Sequence, residues 1–440
     1  MRTHQWLSVT YLVAFLAFLL GVSLMALEVW PHGVVVSLRE YVAGHAEEGT
    51  DAREKLLNDF NVRPSRHLAT LGKMELRPQA MRSVEISGLR ARRQLPLLHV
   101  TEEAPAGYRV IFGPFDFEEN LHGAILVDES GECLHTWQID FDEIQKGHET
   151  SELQTYPHGF LVLPDGSILF GFDNNLSVTR MSWNSEVMWS RKGRHHHALS
   201  LSADGTHLWA FDGLDMVKLS LADGTEVHRV HFEQLWQANK EGADVIGMAS
   251  IDSSKGSHFN FPLGEDGFHP NDVEPLSPKL AEAFPQFEAG DLAVSYRDLN
   301  LVFVLDPETG QIKWWRAGAV RRQHDPDWQP DGTLSIFDNN MHRGWAKIVK
   351  IDPETFETQT ILDGERYRFH SWHRGKHQIT EDGYLVITSS VQGRVLEVDP
   401  EGKVVFDFFN RFDGQEVLMV SEAVWVAPGY FDESVPLPWR

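Results

Sequence analysis

A hairpin that recurs in one register constrains this chain more than any other feature. Between Arg322 and Asn340, His324 enters a strand-like run, Asp331-Gly332 makes the turn, and a second run ends in Asp338-Asn339-Asn340. An Asp-Gly pair between apolar runs is a strong hairpin signal, because glycine accepts the positive φ that such turns need. The same unit runs from His158 through Asp165-Gly166 to Asp173-Asn174-Asn175, and again from His197 to Asp204-Gly205. His158, His197 and His324 each precede their turn aspartate by seven residues. Copies of one unit in one register aim these side chains at one place in space.

From Tyr108 onward the chain reads as six such units, with hairpin aspartates at Asp165, Asp204, Asp331 and Asp382. Each unit continues into a strand with Asp-Pro-Glu or Asp-Gly and a short strand rich in Trp or Phe. Four antiparallel strands per unit make one blade of a β-propeller, which leaves only short strand edges. The expected fold is therefore all-β, a six-bladed β-propeller. The 14 Trp and 26 Phe suit strands better than helices. The fourth unit is swollen by 277–288 and preceded by the long stretch 235–267, insertions of the kind that build lids or pocket walls.

The N-terminus reads differently. No charge interrupts Leu7 to Leu27, and about 20 apolar residues span a bilayer. Arg2 and His4 precede this run and Glu28 follows it, which places the bulk of the chain outside the cytoplasm. The expected organisation is a transmembrane anchor over 1–30, a short helical or irregular spacer over 31–107, and the propeller over 108–440. The expected location is the inner membrane, single-pass, with the main domain in the periplasm. A cleaved signal peptide ending near Leu24-Met25-Ala26 is the rival reading. The net charge of −25 argues against nucleic-acid partners. Cys133 is the one cysteine, so an internal disulfide and a cysteine zinc cluster are excluded.

Residues that open the innermost strand of a blade face the central channel. His269 opens the swollen unit, His370 and His373 the last, and Arg297 ends a strand of the fourth unit. A ring of histidines with an arginine fits an anion site, a metal site, or both. The run His195-His196-His197 looks like a metal tract, yet strand neighbours point to opposite faces and only alternate members can share a ligand. No metal or cofactor is assigned.

These residues carry a resemblance. Gln323-His324, Gly332-Thr333-Leu334 and Phe337-Asp338-Asn339, with His269-x-Asn271, Ser295-Tyr296-Arg297 and His196-His197, are similar to motifs of the bacterial aryl-sulfate sulfotransferases. The resemblance covers Tyr108 to the C-terminus. It implies a periplasmic six-bladed propeller that moves a sulfuryl group from an aryl sulfate to a phenol or other hydroxyl, through a histidine that becomes transiently sulfated. His324 would be that nucleophile, assisted by His269, Arg297 and one of His196 and His197. The family's arginine sits in Ser-Ser-Arg, and here Tyr296 takes the middle place. No nucleotide sulfate donor is implied, since no Gly-rich phosphate cradle is present. Two other classes fit the residues. One is an anchored propeller that binds an envelope partner or polysaccharide without turnover, and the other is a metal-dependent hydrolase.

Overall fold

The computed structural model describes residues 15, 68–70, 81–89, 95–117, 120–144, 157–172, 177–241, 246, 268–341, 343–412 and 416–437. The chain divides into two compact units, Met1–Arg66 and His67–Arg440. Apart from Phe15, the expected anchor lies outside the described residues, as does nearly all of the first unit. Among the described residues no helix is long and apolar enough to cross a membrane.

The second unit is a six-bladed β-propeller, each blade an antiparallel sheet of at least four strands. Blade 2 holds Pro157–Val162, Ile168–Phe172, Ser177–Met181 and Val187–Lys192. Blade 3 holds Leu199–Leu201, His207–Asp212, Asp215–Ser220 and Glu226–Val230. Blade 4 holds Pro270–Pro275, Leu292–Tyr296, Leu301–Leu305 and Ile312–Ala317. Blade 5 holds His324–Trp328, Leu334–Asp338, Lys347–Ile351 and Thr358–Asp363. Blade 6 holds Lys376–Ile379, Leu385–Ser389, Arg394–Val398 and Val404–Phe409.

Blade 1 closes the ring with both ends of the unit. Its innermost strand is the late segment Glu422–Val426, paired with Tyr108–Phe117, and Asn120–Val127 and Cys133–Ile139 follow outward. Part of the stretch expected as an irregular spacer is also strand: Leu97–Val100 pairs with the outer strand of blade 6 and Arg82–Ser83 extends it.

Burial explains the strand order. The second and third strands of a blade are covered on both faces by neighbouring blades, so Leu292–Tyr296, Leu301–Leu305 and Arg394–Val398 are buried throughout. The outer strands face solvent, and Val187–Lys192 is mostly exposed. Each junction between blades carries its own apolar cluster. Blades 1 and 2 meet through Phe112, Phe160 and Phe170, and blades 6 and 1 through Phe408, Val395 and Ile125. Blades 3 and 4 meet through Phe211, Val294 and Phe303, and blades 5 and 6 through Phe337, Ile348 and Leu396. Phe112 is fully buried and stacks on Phe160 at 4.5 Å. Truncating such a side chain to alanine costs about 3–5 kcal/mol.

The turns follow the sequence signal. Gly166, Gly205, Gly332 and Gly383 all have positive φ, between 65° and 82°. The aspartates before three of them act locally: Asp165, Asp204 and Asp331 each accept a hydrogen bond from the backbone N–H two residues on. They are turn formers, not ligands.

Candidate active site

Three consecutive histidines enter blade 3 and take three different partners. His195 Nδ1 lies 2.9 Å from the carbonyl of Phe211, and His196 Nε2 lies 3.0 Å from that of Gly213. His197 Nε2 lies 3.0 Å from His269 Nε2. The metal-tract pattern therefore does not converge on one point. His197 contacts His269 and also His158, with ring centroids 4.4 Å apart, while His196 sits behind it, Nδ1 to Nδ1 at 2.6 Å and its ring stacked on Phe211.

The direction of this chain of imidazoles is fixed at one end. A carbonyl only accepts, so His196 Nε2 donates to Gly213 and its Nδ1 is left as an acceptor when neutral. His197 Nδ1 then donates to His196, and His269 Nε2 donates to His197. The three rings form a polarised relay. His197 and His269 hold φ of 59° and 51°, a left-handed backbone that is uncommon outside glycine and clusters at functional sites.

His324 begins the inner strand of blade 5 and is 2% exposed. Its Nδ1 lies 2.7 Å from Asn339 Oδ1, at the end of the neighbouring strand. Asn339 Nδ2 donates to the carbonyls of Ser371 at 2.7 Å and Arg374 at 2.5 Å. Burial, then the Arg297 guanidinium, hold the His324 imidazole well below its ordinary range, and His158 and His269 push the same way. His158, His197 and His269 touch in sequence around the channel, and Arg297 adjoins His269 on blade 4, next to the blade that His324 opens. Arg297 follows the second strand of blade 4, is 8% exposed, and its backbone N–H donates to the carbonyl of His269. Its guanidinium donates to Asp298, which also receives Arg322.

The five residues singled out in the sequence thus occupy adjoining elements: His196 and His197 ahead of blade 3, His269 and Arg297 on blade 4, His324 on blade 5. His158 shares their register and touches His197. Tyr296, which stands where the family has serine, turns away, its ring buried 5.1 Å from Phe303 in the core between blades 3 and 4. His370 and His373 precede the inner strand of blade 6, packed near Trp345 and Trp372. Their segment reaches the site through the carbonyls that hold Asn339.

The sequence motifs contained Gln323, Asn271 and Ser295 but did not show that they act as braces. Gln323 Nε2 donates to Ser295 Oγ at 2.9 Å, and Asn271 Nδ2 donates to the Gln323 carbonyl at 2.7 Å, tying the inner strands of blades 4 and 5. Asp325 has φ of 60° and accepts from Lys376 Nζ at 2.7 Å and from the His377 backbone N–H. That grip, from the next blade, holds the bulged backbone beside His324. Asn339 was visible as part of a repeated Asp-Asn-Asn, but no periodicity says which neighbour its amide meets.

An acidic level of the channel is a further feature that the sequence did not disclose. A cavity of about 1170 Å³ is lined by Asp272, Glu274, Asp325, Asp327 and Glu422, with Lys376 and His377, and by none of His158, His197, His269 or His324. Burial pushes the Glu274 and Glu422 carboxyls up to about 8. Lys376 Nζ bridges Asp272 and Asp325, each at 2.7 Å. Among the described residues, Asp325, Asp327 and His377 are the group whose atoms could hold a metal ion, all within 4.8 Å of one another. The histidine relay offers no such set.

No curated protein matches the chain. Among solved structures it is similar to a protein of unknown function from Bacteroides caccae, at TM-score 0.49 and 11% identity over 73% of this chain and 99% of that one. It is also similar to TolB from Acinetobacter baumannii, at TM-score 0.44 and 12% identity over 74% and 68% of the two chains. A streptogramin B lyase follows at 0.41 and 11%, over 70% and 86%. Scores below 0.5 carry no argument about activity. The profile of the arylsulfotransferase (ASST) family matches residues 159–411, a span that is more than half of the chain and contains His196, His197, His269, Arg297 and His324. The chain belongs to the arylsulfotransferase (ASST) family.

Proposed function

We propose that this protein transfers a sulfuryl group from an aryl sulfate to a phenolic or other hydroxyl acceptor through a sulfohistidine at His324. The observation that carries the reading is a buried histidine, His324, opening the blade next to the one that carries the buried Arg297 and His269. A neutral imidazole is a competent nucleophile, whereas imidazolium is not. His324 attacks sulfur, the S–O bond to the aryl group breaks, and the phenolate leaves with the electron pair. Arg297 faces the sulfuryl oxygens with a planar fork suited to a tetrahedral oxyanion.

The relay supplies the proton chemistry. A proton on His269 is shared along His197 and His196, because each ring can pass one proton to the next while Gly213 anchors the far end. Such a chain gives a proton to the leaving phenolate and takes one from the incoming hydroxyl, which then attacks the sulfohistidine and frees His324. Atoms balance across the two halves, and no nucleotide is consumed.

The experiment is mass spectrometry of enzyme mixed with an aryl sulfate and no acceptor. The expected result is a gain of about 80 Da, one SO3 group, on the peptide bearing His324, as for any covalent intermediate that accumulates. Addition of phenol should discharge it. An unmodified enzyme that turns over normally, or an active His324→Ala, overturns the reading. We also propose that residues 7–27 anchor the chain with its propeller in the periplasm, since that run is apolar and follows Arg2. A reporter fused after Arg440 should be active only outside the cytoplasm.

A further inference from the structure

We infer that Asn339 is a positioning residue that selects the reacting nitrogen of His324. The orientation of an asparagine amide is set by its partners, and here both sides are determined. Nδ2 faces two backbone carbonyls, Ser371 and Arg374, at 2.7 and 2.5 Å. Turned over, the amide oxygen would face two other oxygens with no proton between them. Oδ1 is therefore the atom 2.7 Å from His324 Nδ1. An amide oxygen only accepts, so Nδ1 carries the proton. In the neutral ring the lone pair is then on Nε2, the nitrogen available to attack.

The arrangement is rigid. Asn339 is fully buried, Ser371 likewise, and His324 is 2% exposed. The carbonyls that hold Asn339 come from the segment leading into blade 6, while His324 begins the inner strand of blade 5 and Asn339 follows its second strand. Asn339 thus ties the protonation of the nucleophile to the junction of two blades. Free imidazole distributes its proton over both nitrogens. Here the wrong tautomer would break a buried hydrogen bond and leave two acceptors facing each other. In other enzymes a histidine held in the wrong tautomer loses roughly 10⁴-fold in rate when the orienting group is a carboxylate. A neutral amide should matter less, on the order of 10²-fold.

This inference rests on the proposed sulfuryl transfer only for its kinetic consequence, so its first test uses resting enzyme without substrate. Neutron diffraction of the wild-type protein crystallised near pH 7 should show a deuteron on His324 Nδ1 and none on Nε2. A deuteron on Nε2 alone overturns the inference whatever the protein does. The second test is Asn339→Ala. The rate of sulfuryl-enzyme formation should fall roughly 10²-fold with the donor's KM changed by less than about threefold, the signature of an interaction used in the transition state. The hydrogen bond to Asn339 favours the charged ring, so its loss should also move the acid limb of the pH–rate profile to lower pH. A purely structural role would lower thermal stability and amplitude but leave that limb in place, and that outcome rejects the positioning role. A correct tautomer in the neutron map with no sulfuryl adduct in wild type would reject the sulfuryl-transfer reading and leave the tautomer assignment standing.

Discussion

Gly159 offers the sharpest test of how the fold holds the histidines. It follows His158 at the bulge in the inner strand of blade 2, with φ of 82°. A Cβ added there would lie 1.7 Å from the carbonyl oxygen of His197 and 2.9 Å from its carbonyl carbon. Close carbon–oxygen contacts settle at about 3.3 Å, so Gly159→Ala must part the two backbones by roughly 1.5 Å. The atom in the way is backbone and cannot rotate aside. Moving the His197 backbone that far opens its 3.0 Å contact with His269. Misplacement of about 1 Å at a reacting centre costs on the order of 10²-fold in rate. Adopting a left-handed conformation costs alanine a further 1–2 kcal/mol or so in stability.

The control is Gly205→Ala, which shares positive φ, 65°, but meets nothing within 4 Å. It should lose about 1 kcal/mol of stability and keep its activity. The assay is the initial rate of sulfate transfer from an aryl sulfate to phenol, read beside urea denaturation of both variants. A folded Gly159→Ala with the parental rate would refute the claim that the relay depends on this close approach. Equal losses in the two variants would refute it as well, because backbone strain alone would then account for the effect.

Arg109 and Glu397 form a fully buried bidentate pair at 2.7 Å that joins blade 1 to blade 6. Glu397→Leu should cost about 3–5 kcal/mol in urea denaturation, and Arg109→Met added to it should recover most of that, because an orphaned buried charge is the expensive state. His324 titrates below its ordinary range through burial and Arg297, so the acid limb of adduct formation should lie below about pH 6.5. Arg297→Gln should move that limb upward, and an unmoved limb would remove Arg297 from the neighbourhood of His324. The same depressed group weakens folding as pH falls below about 6.5, since the unfolded chain then takes up a proton that the folded one refuses, and His324→Gln should flatten that loss. Glu274 and Glu422 have the opposite sign. Their folded carboxyls titrate near 8, through burial, against 4.5 in the unfolded chain. Stability should therefore decline as pH rises between those values, and Glu274→Gln with Glu422→Gln should make the decline shallower in thermal melts across that range.

The sequence by itself determined the local units. Asp-Gly turns and alternating apolar runs are properties of a few adjacent residues, so the blades from Pro157 to Phe409 were legible, and with them the register that aims His158, His197 and His324 at the channel. Their motifs also carried the family. Pairings between distant segments were not legible, because hydrogen bonds across hundreds of residues leave no periodicity. Only the tertiary structure joins Glu422–Val426 to Tyr108–Phe117 to close the ring, and only it adds Leu97–Val100 to blade 6. The repeat register favoured His197 over His196 without deciding between them. Which of two adjacent side chains meets His269 depends on a left-handed turn at His197 that no propensity for histidine announces. The acidic level of the channel escaped for the same reason. Asp272, Glu274, Lys376 and Glu422 are ordinary charged residues in the sequence, and they become one group only when three inner strands bring them around a common axis and burial raises the cost of every unpaired charge.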